Sequence, residues 1–294
     1  MADELLLRKT ALTHGVTDYD LRRACASGRL TRLRPGAYAH GAADPYARHR
    51  LAIKAATGVL GAGVAISHQS AAVLHGLPLT EQPDRQVHAT VNRITGGRLT
   101  RNLHLHSTRF DEDEVTVVDG VLVTTPARTI ADLARTTSFR DAVVTGDAAL
   151  RGYGLGTEQL IDALHRWQRR RGLSQARQAI LFMDGRSESP GESSSRVALH
   201  FAFLPPPRLQ TEILDELGGS LGRVDFLLPE YHVIGEYGGG SPDDRQRDRA
   251  LRALGGQVVR WTGRDLDDFG PVAARFRRAI ARSAASRPPR WRIR

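Results

Sequence analysis

Arg223 to Gly240 reads R-V-D-F-L-L-P-E-Y-H-V-I-G-E-Y-G-G-G, and this stretch decides what the C-terminal third of the chain can be. Val224 to Leu228 and Val233 to Tyr237 are β-prone runs, and Pro229 to His232 between them has turn character. A turn centred on Glu230 and Tyr231 pairs the two runs symmetrically and sets Asp225 opposite Glu236. Directly opposed side chains of an antiparallel pair have Cβ atoms roughly 4.5–5.5 Å apart. Two carboxylates that close, on otherwise apolar strands, repel each other and are costly to desolvate. A divalent cation between them removes both penalties, and hard oxygen donors suit magnesium, with manganese as a substitute. Asp225 and Glu236 are therefore the expected metal ligands and catalytic pair, with Tyr237 pointing to the opposite strand face.

This pattern resembles the PD-(D/E)XK nuclease superfamily, whose core places one Asp and one Glu on neighbouring strands, and most of all its short-patch-repair (Vsr-like) endonuclease branch. Ser189-Pro190-Gly191-Glu192 precedes a helix with Arg196 one turn on, where that family carries an extra acidic residue. Arg247-Asp248-xx-Leu251-xxx-Gly255 is similar to the helix after the active-site hairpin. Val258 to Thr262 is similar to the last core strand, with Asp265-Leu266 opening a final helix. The resemblance covers about Pro190 to Arg282. It implies metal-dependent cleavage of DNA phosphodiesters, Glu192 as a helper carboxylate, and Arg249 and Arg260 as phosphate clamps. The superfamily's Glu-x-Lys is not met, because Glu236 is followed by Tyr237 and Gly238 and the chain's only lysines are Lys9 and Lys54. A nuclease-like fold that binds without cutting therefore stands beside the nuclease.

The 294 residues leave room for more than one domain, and a 40% hydrophobic, 25% charged composition is ordinary for a globular protein. A single cysteine, Cys25, excludes an internal disulfide and fits a reducing cytoplasm. The acidic N-terminus is unlike a signal peptide, and no apolar run approaches the ~18–20 residues that span a bilayer, so a membrane partner is not expected. The net charge of +10 is carried almost wholly by arginine, whose planar fork matches phosphate. Charge alone is a modest argument for nucleic acid; its placement says more.

Asp3 to His40 reads as helix, turn, helix and β-ribbon. Leu5, Leu6, Lys9 and Leu12 fall at helical spacing, and His14-Gly15 ends that helix. Thr17 with Asp20 is a capping signal for a helix over Asp18 to Ser27. Leu30 to Arg34, a turn at Pro35-Gly36, and Ala37 to Ala39 form a hairpin. That order is a winged helix-turn-helix, in which Thr17, Arg22 and Arg23 would enter a groove and Arg29, Arg32 and Arg34 would lie on phosphates. Gly15-Val16-Thr17 with Leu21-Arg22-Arg23, then Gly28 to Leu33 and Pro35 to Tyr38, resembles the N-terminal domain of AbiEi-type antitoxins of type IV toxin–antitoxin systems. The likeness continues through Ser67 to Pro78 and Val123 to Leu133. It implies operator DNA as a partner, a cognate toxin, and autorepression rather than catalysis.

The middle reads as helices over Pro45–Leu60, Ser67–His75, Pro126–Arg135, Ser138–Arg151, Thr157–Arg170 and Ser174–Met183. Strands are expected at Gln86–Val91, Leu103–His106, Val115–Val118 and Val121–Thr124, the last two joined by Asp119-Gly120. No catalytic signature stands out. His104 and His106 share a strand face, but no Cys or carboxylate is spaced to complete a metal set, and Leu103 and Leu105 explain the alternation as a half-buried strand. Arg166 to Arg171 reads as a solvated helix end, Asp111 to Glu114 as a solvated loop, and Arg287 to Arg294 as a mobile basic tail. The whole is expected to be a multidomain α/β (α+β) protein: winged helix-turn-helix over 1–44, mixed α+β domain over 45–184, and restriction-endonuclease-like α/β/α domain over 185–294.

Overall fold

The computed structural model describes residues 4–40, 44–83, 85–166, 171–239, 242–285 and 290–293, and the chain divides into two compact units, Met1–Phe182 and Met183–Arg294. The first unit opens with β1 (Glu4–Leu7), α1 (Arg8–Thr13), α2 (Asp18–Ala26), β2 (Leu30–Arg34) and β3 (Ala37–His40). The strands form one antiparallel sheet in the order β1-β3-β2. This corrects the expected first helix: Leu5 and Leu6 lie in a strand, opposite Ala39 and Tyr38. A three-leucine run is too short to show a period, so pairing with β3 decides its state. α2 begins as expected, with the Thr17 side chain and Asp20 forming a reciprocal capping box.

The unit continues with α3 (Pro45–Thr57), β4 (Val64–Ile66), α4 (His68–Leu74), β5 (Val87–Val91), β6 (Arg98–Leu99), β7 (Leu103–Ser107), β8 (Val115–Val118) and β9 (Val121–Thr124). Helices α5 (Pro126–Thr136), α6 (Phe139–Tyr153), α7 (Thr157–His165) and α8 (Leu173–Phe182) follow. The sheet is mixed, ordered β6-β7-β5-β4-β9-β8. Asp119 (φ 50°) and Gly120 (φ 75°) join β8 to β9 in the left-handed pair that a type I′ turn requires. Leu33 and Ala39 from the N-terminal ribbon share a core with Ile53, Ile66, Val87 and Val123. The expected break at residue 44 therefore falls inside one unit: the ribbon packs Leu30 and Tyr38 against Ala11 and Leu21 of its own segment, but Leu33 and Ala39 against Ile53 of α3.

Asp111, Glu112 and Asp113 are exposed as expected, at a 3-10 turn, but Glu114 is not. Glu114 is buried and accepts from Arg128 Nη1 at 2.9 Å, while Arg128 Nε reaches Asp132 Oδ1 at 3.1 Å. Arg166 pairs with Asp113 at 2.6 Å; residues 167–170 of the basic run lie outside the described residues.

The second unit comprises α9 (Pro190–Phe201), β10 (Arg208–Leu214), β11 (Ser220–Leu228), β12 (Val233–Tyr237), α10 (Pro242–Ala253), β13 (Gln257–Trp261), α11 (Gly270–Ala284) and β14 (Arg292–Ile293). Its sheet runs β13-β12-β11-β10-β14, with only β12 and β13 parallel. One core, around Phe226, Val233, Trp261 and Phe276, lies on one face of the sheet. A second, around Val224, Leu227, Ile234, Leu251 and Trp291, lies on the other. Gly235 is required where it stands, since a Cβ there would sit 2.9 Å from Phe276 and 3.0 Å from Trp261. The final helix opens at Gly270 rather than at Asp265, which lies in a short 3-10 turn. The described part of the tail, 290–293, is docked: Trp291 is buried and β14 pairs with β10.

Candidate functional site

The β11–β12 hairpin has the register expected from its turn, with Phe226 opposite Gly235, Leu227 opposite Ile234 and Leu228 opposite Val233. Extending that register sets Asp225 opposite Glu236. The ladder departs from regular pairing there, because the backbone N–H of Tyr237 donates to Asp225 Oδ2 at 2.8 Å. A second irregularity lies across the sheet at Gln210, which stands between the pairs Leu209–Phe226 and Thr211–Val224 and takes a left-handed backbone (φ 49°). Leu209 and Phe226 pack in one core, whereas Ile213 and Val224, an even number of residues along, pack in the other. Both strands thus exchange faces at Gln210 and Asp225, and polar side chains gather at the crossing. Backbone strain of this kind costs about 1–3 kcal/mol and persists only where the surroundings hold it.

Glu192, Gln210 and Asp225 form a chain. Gln210 Nε2 donates to Glu192 Oε2 at 2.8 Å and stands 3.5 Å from Asp225 Oδ1. Glu192 also closes the N-terminus of α9, accepting from Ser189 Oγ at 2.8 Å and from the Glu188 N–H at 2.8 Å. Glu236 is 3% exposed. Its Oε2 accepts from Arg247 Nη2 at 3.1 Å and lies 3.9 Å from Arg260 Nη1, while Oε1 is buried with no hydrogen-bond partner among the described residues. Burial, then repulsion from Asp225, pushes the Glu236 carboxyl up to about 7 against the pull of the two guanidinium groups. Burial also raises Asp225, opposed by the Tyr237 N–H and reinforced by Glu192. Tyr237 packs toward the other face; its ring fills the space over Gly191, where a Cβ would come within 1.9 Å of Cε1.

Glu192 is thus linked to Asp225 through Gln210, and Asp225 lies near enough to Glu236 to raise its pKa, but the three carboxylates do not converge within 4.8 Å of one another. Asp225 Oδ2 is taken by a backbone N–H, Glu236 Oε2 by Arg247, and the one orphan oxygen is enclosed. Magnesium wants near-octahedral oxygen donors and keeps several waters. As arranged, these residues do not fit it. Arg260, expected as a phosphate clamp, gives both Nε and Nη2 to Asp248 at 2.9 and 2.8 Å. Arg249 is exposed on α10. Around Arg260 lies a cavity of about 400 Å³ also lined by Arg252, Arg275, Arg278 and Arg282.

In the first unit, Arg22, Arg23, Arg29 and Arg32 are exposed, whereas Thr17 is engaged in its cap. Arg34 Nη1 donates to the Ala55 carbonyl at 2.8 Å, tying the β2–β3 ribbon to the C-terminal turn of α3. Between ribbon and helix lies a groove of about 470 Å³ whose walls include Arg32, Arg34, Arg48, Arg85 and Arg101. Among the described residues no carboxylate lines it, and none of the five forms an ion pair. Arg48, Arg85 and Arg101 escape a sequence reading because they come from three separate segments that meet only in the fold. The same holds for His68 and His88, which reach His106.

Comparison with known proteins bears on the first unit. Residues 62–180 match the family model described as the AbiEi antitoxin C-terminal domain. This span runs from just before β4 into α8. Over 175 residues, 56% of its length, the chain is 34% identical to two proteins of Mycobacterium tuberculosis, "Uncharacterized protein MT2308" (strain CDC 1551 / Oshkosh) and "Uncharacterized protein Rv2248" (strain ATCC 25618 / H37Rv). The match spans 64% of the length of these relatives. Among solved structures, the "RV2827C protein from Mycobacterium tuberculosis" aligns with a TM-score of 0.39 and 16% identity, over 65% of this chain and 74% of that one. No helix among the described residues is long and apolar enough to cross a membrane. By sequence, then, residues 62–180 are similar to the C-terminal domain of an AbiEi-type antitoxin, and this supports a toxin–antitoxin setting.

Proposed function

We propose that this chain is a DNA-binding antitoxin-type regulator, gripping the phosphate backbone with the arginine-lined groove of its first unit and presenting its second unit for binding rather than cutting. The observation that carries the reading is the groove itself. Among the described residues, five guanidinium groups line one surface and no carboxylate does, a setting suited to a polyanion. The order of short helices and ribbon over Glu4–His40 supports a winged-helix reading, with Arg22 and Arg23 on an exposed face of α2 for groove contacts and Arg29 and Arg32 for the backbone. The similarity of residues 62–180 to an antitoxin domain supports a cognate toxin as a protein partner and repression of its own operon as the role. Fluorescence anisotropy with duplex DNA tests this: binding should weaken steeply with salt, and Arg22→Ala with Arg23→Ala should lose sequence preference. Affinity that ignores both salt and these substitutions overturns it.

A second reading, metal-dependent cleavage by a Vsr-like domain, is favoured by one observation: Glu236 Oε1 is buried with no hydrogen-bond partner among the described residues, and Asp225, linked through Gln210 to Glu192, stands near enough to raise that carboxyl. It requires Arg247 to leave Glu236. Plasmid nicking with magnesium or manganese, lost with EDTA and in Asp225→Ala, would establish it; intact plasmid across metals and salts supports the binding role.

A further inference from the structure

Four histidines pack together in the first unit, and none of them lines the arginine groove. His88 on β5 lies opposite His104 on β7 in a parallel pair, two residues before His106 on the same face. His68, the first residue of α4, stacks on His106 with ring centroids 3.7 Å apart, and His104 stacks on the other side at 3.9 Å. His88 Nδ1 meets His106 Nε2 at 3.1 Å. One ring nitrogen each from His68, His88 and His106 lies within 4.8 Å of the other two.

The geometry points to a transition-metal site formed by His68, His88 and His106, with zinc(II) as the ion it would take. Three imidazoles without a thiolate suit a borderline divalent ion rather than magnesium or calcium. Ligand imidazoles must be neutral, so uptake should weaken as pH falls. His68 is held in place from behind: Nδ1 meets Ser67 Oγ at 2.9 Å, Ser67 accepts from Thr90 Oγ1 at 2.8 Å, and Asp132 Oδ2 stands 4.0 Å away. Partners of this kind orient metal-binding imidazoles and raise their basicity. His68 also takes a left-handed backbone (φ 53°), a conformation non-glycine residues adopt where the surroundings impose it. Zinc–nitrogen bonds of ~2.0–2.1 Å put tetrahedral ligands about 3.3 Å apart, so loading draws the nitrogens together by a rotation of the rings. Three imidazoles leave one tetrahedral position for a further donor. The cluster lies within the antitoxin-like span, on strands that β4 ties to the rest of the sheet.

The test uses the full chain without a polyhistidine tag, stripped with chelator and titrated with zinc by calorimetry and with cobalt by visible absorption. One equivalent per chain is expected, with affinity at least tenfold lower in His106→Ala and in His88→Ala and unchanged in His14→Ala, whose ring is exposed. Imidazole 15N NMR of the unmutated chain guards against misfolded variants: among 11 histidines, zinc should shift His68, His88 and His106 most. No stoichiometric uptake, uptake unaltered by His106→Ala in a folded protein, or shifts confined to other histidines overturns the proposal.

Discussion

Replacing Glu236 by Gln should make the second unit more stable, and the gain should grow with pH. Glu236 is pushed from 4.5 to about 7, chiefly by burial and by Asp225. A rise of that size corresponds to about 3 kcal/mol between the two protonation states. The sign follows from proton uptake. A carboxyl raised in the folded state binds its proton more tightly than in the unfolded chain, so its contribution is fully present below about 4.5 and is lost as pH rises through about 7. Asp225 is raised too and adds a loss of the same sign. Glutamine keeps the shape of protonated glutamate and cannot ionise. Urea unfolding followed by tryptophan fluorescence is the assay, since Trp261 and Trp291 both lie in this unit. The difference between Glu236→Gln and the natural chain should be small near about pH 4.5 and reach about 2–3 kcal/mol in favour of the variant near about pH 8. A difference that stays flat with pH, or a variant less stable at the alkaline end, would mean that Arg247 and Arg260 outweigh desolvation, and the reasoning about the site would fail.

Other perturbations address other parts of the molecule. Arg128→Met leaves Glu114 and Asp132 as buried charges without their shared cation and should cost about 3–5 kcal/mol in a denaturant titration; a loss below about 1 kcal/mol would show that the triad is not structural. Gly191→Ala drives a methyl into the Tyr237 ring and should cost about 1–3 kcal/mol by overpacking, while Ser193→Ala on the same helix serves as a comparison. Neutralising Arg48, Arg85 and Arg101 together should reduce the slope of log affinity for DNA against log salt by about 2–3, at roughly 0.9 for each phosphate no longer neutralised. An unchanged slope would place the DNA elsewhere.

The hairpin register was legible because a turn with one plausible centre and two apolar runs leave no other symmetric pairing. β10 was not, although Leu209, Thr211 and Ile213 alternate with Gln210 and Glu212 along it, because the prolines at 205–207 precede it and the run is short and flanked by charged residues. That hidden strand carries the amide linking Glu192 to Asp225, so the site's connectivity was concealed with it. Arg247 was visible only as part of a helix resembling one that follows a nuclease hairpin, and its reach to Glu236 is a matter of packing. Leu5 to Leu7 failed for a different reason, since a short leucine run takes whichever state its neighbour β3 imposes. His104 and His106 announced a shared face, but their companions arrive through a parallel strand pair and a helix start, a meeting that no local spacing encodes.

The docked C-terminus has a practical corollary. β14 covers the outer edge of β10 at Ile213 and Leu214, and the indole of Trp291 seals Ile213 and Leu251 from water. A chain cut before residue 290 would present two unpaired backbone rungs beside a freshly bared apolar seam, the combination that invites strands from other molecules to add on. Truncated versions of this protein should therefore fail first by self-association rather than by unfolding, and a solubilising change at that seam should rescue them.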